Sequence, residues 1–168
     1  MKKIFTLLAL IISFSMNAQM DDNSIGTSAT GANAVAMGMG TTASGSISTA
    51  MGNGTEATGS RSTAMGSGTL ASGNNSTAMG YQTTASGHKT TAMGAQTIAS
   101  DYASLVIGQF NSSGSSVTNN ATSYNTANTA FVIGNGTDSS NKSDAFKVMF
   151  NGDTYISVSY THLRAHET

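Results

Sequence analysis

The chain has 168 residues with no cysteine, no proline, 9% charged residues and a formal net charge of −1. The missing cysteines exclude disulfides and thiol chemistry. From residue 20 to 157, four basic residues (Arg61, Lys89, Lys142, Lys147) stand against seven acidic ones (Asp21, Asp22, Glu56, Asp101, Asp138, Asp144, Asp153), a net of −3 that leaves no electrostatic footprint for nucleic acid.

Residues 1–18 read as a secretory signal peptide. Lys2 and Lys3 form a basic start, Ile4 to Phe14 an apolar run of 11 residues, and Ala18 a small residue for cleavage before Gln19. Eleven residues are too few to span a bilayer, which takes about 20 in a helix. Residues 19–30 form an entry segment. Thr27, Ala29 and Thr30 already keep the rhythm of the next 84 residues, so a half coil begins here as a cap.

Residues 31–114 divide into six units of 14. Three of them open Gly-Ser-Ile-Ser-Thr-Ala-Met-Gly, Gly-Ser-Arg-Ser-Thr-Ala-Met-Gly and Gly-Asn-Asn-Ser-Thr-Ala-Met-Gly, from Gly45, Gly59 and Gly73. Met37, Met51, Met65, Met79 and Met93 recur at that interval, with Ile107 next, and each has a glycine after it. A fixed short period marks a stacked repeat. Fourteen residues hold two short strands and two tight turns, because a five-residue strand spans about 16 Å. The expected fold is therefore all-β: a parallel β-roll, or β-solenoid, with coils about 4.8 Å apart.

Comparing the units with one another identifies their faces. We number positions from the opening residue of each unit. Position 12 holds Thr42, Glu56, Leu70, Thr84, Ile98 and Ser112, a spread that tolerates charge and marks a solvent face. Positions 11 and 13 are nearly uniform, Thr and Ala, so the second strand is half buried. In the first strand, position 5 (Thr49, Thr63, Thr77, Thr91) shares a face with the methionines, while Ala50, Ala64, Ala78 and Ala92 take the other. Both faces are uniform, so both are expected to be buried. One fits the roll interior, and the other needs a partner chain. Ala50, Ala64, Ala78, Ala92, Met51, Met65, Met79 and Met93 are the expected packing residues of core and trimer.

The repeated Ser-Thr-Ala-Met-Gly with Thr-x-Ala-Ser-Gly after it resembles the head repeat of trimeric autotransporter adhesins (YadA-like heads). That resemblance implies a left-handed roll, a homotrimer and a place on a bacterial cell surface. The family often has two aliphatic residues where this strand carries Thr and Met.

After Gly108 the rhythm breaks, and the next hydrophobic-glycine pair, Ile133-Gly134, arrives 26 residues after Ile107-Gly108. Gln109 to Thr129 is rich in Ser, Thr and Asn. It reads either as one coil carrying a surface insertion of about a dozen residues or as a disordered linker. Phe131 to Gly134 resumes as a strand. Phe146, Val148 and Phe150 alternate along another strand, and Asn151-Gly152 turns it into Thr154-Tyr155-Ile156. Residues 115–157 are thus an insertion plus a neck-like strand and hairpin module. They also resemble the segment found after such repeats in secreted bacterial fibres, sometimes ahead of a self-cleaving chaperone domain. Residues 158–168 fit neither period and resemble a translated sequencing adapter, which makes the chain a fragment of a longer one.

The residues carry little chemistry. His88 and Lys89 share a turn, and the other histidines lie in the tail, so no catalytic residue is expected. No phosphate loop or dinucleotide motif occurs, and the repeats hold too little Asp to bind calcium coil by coil, so neither cofactor nor metal is expected. The methionine column reads as packing. The variable positions 2, 3, 9, 10 and 12 are where binding chemistry can vary. Their most distinctive occupants, Arg61, Tyr81, Gln82, His88, Lys89 and Tyr102, form the candidate adhesive surface, expected as one lateral band. The leading expectation is a non-enzymatic surface adhesin head that contacts host or matrix polymers and its own copies. The alternative is a passive spacer or fibre segment maturing through a missing C-terminal chaperone. A remote alternative is ice binding, for which Thr49, Thr63, Thr77 and Thr91 have a suitable spacing but sit on a face read as buried.

Overall fold

In the computed structural model, residues 20–21, 25–114 and 117–157 are described. The expected signal peptide and the tail 158–168 lie outside them, as does part of the entry segment. Along the chain the strands are β1 (Met20–Asp21), β2 (Ser28–Ala29), β3 (Val35–Met39), β4 (Thr42–Ala43), β5 (Thr49–Asn53), β6 (Glu56–Ala57), β7 (Thr63–Ser67), β8 (Leu70–Ala71), β9 (Thr77–Tyr81), β10 (Thr84–Ala85), β11 (Thr91–Ala95), β12 (Ile98–Ala99), β13 (Leu105–Gln109), β14 (Thr129–Asn135), β15 (Asp144–Met149) and β16 (Thr154–Ile156). There is no helix among the described residues. Five-residue and two-residue strands alternate from β3 to β13, one pair per coil, and each kind stacks on its own kind. The result is a ten-stranded sheet, β1-β3-β5-β7-β9-β11-β13-β14-β15-β16, facing a six-stranded one, β2-β4-β6-β8-β10-β12. This is the β-solenoid of about six 14-residue coils that the period implies.

The register is a copy of the sequence period. Met37 pairs with Met51, Met51 with Met65, Met65 with Met79, and Met79 with Met93, all in parallel. Glycine makes so close a stack passable. A Cβ on Gly52 would lie 2.0 Å from the carbonyl oxygen of Gly66, and one on Gly45 would lie 2.0 Å from that of Gly59. Gly52 also sits at φ 123°, where side chains are rarely accommodated. Positions 1 and 8 are therefore closed to any other residue wherever a further coil stacks on them.

The interior is made of small side chains. The alanines at positions 6 and 13, from Ala36 to Ala99, have no exposure, and Val106 and Val132 continue them in the last coils. Position 6 thus faces the inside of the roll. The opposite face of the first sheet, with Thr at position 5 and Met at position 7, is only half buried in the single chain, and Met37 keeps 36% of its surface. Position 11 is buried as well, yet the hydroxyls of Thr41, Thr55, Thr69, Thr83 and Thr97 have no hydrogen-bond partner there. At position 12 Glu56 is exposed, while Leu70 and Ile98 point outward half covered by their neighbours.

Beyond the repeats the long sheet continues without a break. β14 pairs in parallel with β13 and places Ile133 beside Ile107 and Phe131 beside Leu105. The chain therefore leaves after Gln109 and returns in register. β15 then joins antiparallel, and the Asn151–Gly152 turn brings β16 back along it. The rings of Phe131 and Phe146 meet edge-on at 6.0 Å on this part of the sheet.

Candidate interaction surface

Each coil has two corners, and both are built from left-handed backbone. At the first corner, the carbonyl at position 1 accepts the N–H at position 4, as from Ser62 to Gly59 at 3.3 Å. Position 3 is left-handed in every coil: Asn33, Ile47, Arg61, Asn75, Lys89 and Ala103 have φ between 57° and 61°. Such a conformation is strained for residues other than glycine, worst for β-branched Ile47. It holds because the stack over-determines it. Each of these N–H groups from the second coil onward donates to the position-2 carbonyl of the coil before, for example Arg61 to Ser46 at 2.7 Å and Lys89 to Asn74 at 2.8 Å. The second corner repeats the device. Gly40, Gly54, Gly68, Gln82, Gln96 and Phe110 are left-handed at position 10, and each N–H donates to the position-9 carbonyl one coil back. The backbone alone holds both corners, so their side chains are free to differ.

The expected adhesive residues divide between the corners. Arg61 and Lys89 (position 3) and His88 and Tyr102 (position 2) share the first. Arg61 Nε donates to Asn75 Oδ1 at 2.9 Å, and Lys89 Nζ donates to the Tyr102 hydroxyl at 2.7 Å, lying 5.0 Å from that ring's centroid. Tyr81 and Gln82 stand at the second corner, with Tyr81 52% exposed. A five-residue strand, about 16 Å, separates the two groups. The single lateral band expected from the sequence is therefore two bands on opposite edges, because positions 2–3 and 9–10 cap opposite ends of the same strand.

The structure adds residues that the repeat pattern passes over. Asp101 occupies position 1 of the sixth coil, where every other coil has glycine. No seventh coil stacks directly on it, so a side chain fits, and it is completely buried. Its two carboxylate oxygens accept the N–H groups of Thr118 (2.6 Å) and Thr129 (2.7 Å), one on the inserted segment and one at the start of β14. Asn111 replaces the threonine of position 11. Its amide accepts from Ile98 N at 2.8 Å and donates to Ile98 O at 3.0 Å, taking the place of a neighbouring backbone at the edge of the short sheet. Asn128 makes the same paired contact with the backbone of Asn120, at 2.8 and 2.7 Å. The inserted segment then lies on the first corner: Tyr102 N donates to Asn120 O at 2.9 Å and His88 N to Ala121 O at 2.7 Å. The departures from the period at Asp101 and Asn111 are the sequence signal of this cap.

A shallow cleft of about 370 Å³ lies beside the hairpin, lined by residues that include Ser112, Lys142, Asp144, Lys147 and Tyr155. Asp144 is committed to structure, accepting from Ser112 N, Ser112 Oγ and Ser113 N at 2.7–2.8 Å. Lys147 Nζ lies 4.3 Å from the Tyr155 ring centroid. Among the described residues, no group of three His, Cys, Asp or Glu side chains is placed to hold a metal ion.

Comparison with protein families agrees with this geometry. The model of the YadA head domain repeat, which spans two copies, matches residues 24–41, 29–55, 43–69, 57–83, 71–97 and 85–111. From 29 onward the matches advance by one coil at a time, and together they cover 24–111, more than half of the chain. No curated protein matches it. With coil length, register and both invariant glycines in agreement, the chain belongs to the YadA head-repeat family.

Proposed function

We propose that the chain is the head of an exported bacterial surface adhesin, a homotrimer of left-handed rolls whose corner residues hold host or matrix polymers. One observation carries the reading: the outward face of the long sheet is uniform and apolar, while the two corners vary. Met37, Met51, Met65, Met79, Met93, Ile107 and Ile133 lie along that face, with Val35, Leu105 and Phe131 among their neighbours, and each stays partly open in the single chain. The interior side chains are no larger than valine. At about 25 cal/mol per Å², they give each coil little apolar burial against the entropy of ordering its residues. Packing the methionine faces of three chains together supplies the missing burial. The six corner residues then remain outside, and weak contacts multiplied over three chains give avidity. No enzymatic step is assigned to this surface.

Light scattering of the purified chain tests the assembly, and a stably folded monomer at micromolar concentration would overturn it. Replacing Arg61, Tyr81, Lys89 and Tyr102 with serine tests the surface. The variant should keep its oligomeric state and lose adhesion of particles coated with it. Undiminished adhesion would make the roll a spacer. Ice binding gains no support, since Thr55, Thr69 and Thr83 face inward and the outward threonines alternate with methionine.

A further inference from the structure

We infer that the first corner is a rail for an extended acidic polypeptide, which runs along the roll axis and offers its carbonyls to the position-2 N–H groups of successive coils. This rests on the adhesin reading and names the partner of one of its two corners. The stack does not use these donors. The N–H groups of Ala32, Ser46 and Asn74 donate to no described residue, Ala32 and Ser46 are exposed, and Asn74 is half exposed. Ser60 N turns to the Asn74 side chain at 3.1 Å, an acceptor that can rotate away. The donors repeat about every 4.8 Å, the coil spacing.

The chain itself shows how the rail is used. In the last two coils the equivalent donors are Tyr102 N and His88 N, and they are taken by the carbonyls of Asn120 and Ala121. Consecutive residues of the inserted segment thus answer consecutive coils, so that segment passes down the stack at one residue per coil. It serves the fifth and sixth coils. The same geometry continues unused below, along Asn74, Ser46 and Ala32.

Charge selects the ligand. The side chains beside the lower rail at position 3 include Arg61 and Lys89, two coils or about 10 Å apart. Positions 2 and 3 carry no carboxylate in any of the six coils. Arg61 spends only Nε on Asn75, which leaves the rest of its donors for a carboxylate. A backbone that accepts from position 2 and carries Asp or Glu side chains satisfies both sets of groups. A sulfated polysaccharide satisfies only the charges, and the segment seated on the fifth and sixth coils is peptide.

The test uses the full chain and a fluorescent peptide of repeated Glu-Ser-Thr triplets, with a Lys-Ser-Thr peptide and heparin as comparisons. The acidic peptide should bind saturably and slow amide exchange at Ser46 and Asn74, and the basic peptide should not bind. Ser46→Pro removes one donor at the second residue of a turn, where proline is at home, and Ser46→Ala keeps it. The proline variant should weaken binding severalfold, the alanine variant should bind like the parent, and Arg61→Ser with Lys89→Ser should weaken binding roughly tenfold or more, the equivalent of one good charged contact. If the proline variant fails to fold, amide exchange in the parent decides. Binding without slowed exchange at Ser46 and Asn74, or binding of heparin alone, overturns the rail. Particles that adhere while the peptide fails remove the rail and leave the adhesin standing, and failure of both removes both.

Discussion

Replacing Asp101 with alanine should open the top of the roll. The buried carboxylate accepts two backbone N–H groups, Thr118 at 2.6 Å and Thr129 at 2.7 Å. Alanine deletes the acceptor and leaves both donors in place. A buried polar group left unsatisfied costs about 1–3 kcal/mol. Thr129 is itself buried and should suffer most of that, whereas the exposed Thr118 can turn to water. The expected loss is therefore about 2–3 kcal/mol, toward the lower end of two such penalties. In a chain of this size each kcal/mol lowers Tm by about 2–4 °C, so melting monitored by circular dichroism should fall by about 4–12 °C. Amide exchange at Thr118 and Thr129 should accelerate well before the repeats open. Asp101→Asn, which keeps one accepting oxygen, should fall between alanine and the parent. An alanine variant that melts with the parent and exchanges no faster at these amides would refute this account of the cap.

The packing sets four further outcomes. Ala78→Glu puts an unpaired charge inside the roll and should cost several kcal/mol, whereas Glu56→Ala on the outer face should stay within about 0.5 kcal/mol of neutral; the reverse order in thermal melting would invert the faces. Gly80→Ala forces a Cβ to 2.1 Å from the Gly94 carbonyl and should prevent folding or cut stability severely, while Gly54→Ala, with nothing within 4 Å, should cost only about 1–2 kcal/mol for its left-handed backbone; comparable melting of the two would refute the close stack. Thr69→Val removes a buried hydroxyl with no partner and should be neutral or stabilising by about 1 kcal/mol in denaturant unfolding. Asp138 accepts chiefly from the Asn141 side chain and then from the N–H groups of Ser140 and Asn141, and these hold its carboxyl below the ordinary 3.8. A lowered folded pKa means the contribution is present above the unfolded value and is lost as pH falls through the folded one. The Thr137–Asn141 loop should therefore loosen only below about pH 3.8, read as faster exchange at Ser140 and Asn141, and loosening at neutral pH would contradict it.

Whatever the stack repeats is legible in the sequence. Strand positions, the buried alanines at 6 and 13 and the glycines at 1 and 8 can be read because each coil imposes the same sterics on the next, so any exception would break two coils at once. The solvent-tolerant position 12 is legible from Glu56 for the converse reason. Features made only once stay hidden. Asp101 and Asn111 interrupt the period, but a break in a pattern does not name the group it will meet, and their partners lie 17, 28 and 13 residues away. The seating of Asn120 and Ala121 on the first corner uses backbone atoms alone, which no side-chain pattern records. The separation of Tyr81 and Gln82 from Arg61 and Lys89 is implicit in the length of the strand between them. Variability by itself does not reveal it, because variable positions look like one surface until they are traced around the coil.

A parallel stack contains no instruction to stop. Each coil presents to the next the same row of carbonyls and N–H groups that it received, so the end of the short sheet is a template on which any chain with extended backbone can grow. Asn111 answers this with a single carboxamide, which fills both the donor and the acceptor of Ile98 and has no continuation of its own. The edge is closed chemically rather than covered. Molecules held side by side at high local density on a surface cannot then fuse end to end through β12, and the rods keep a fixed length, set by the number of coils encoded between the cap at one end and the amide at the other.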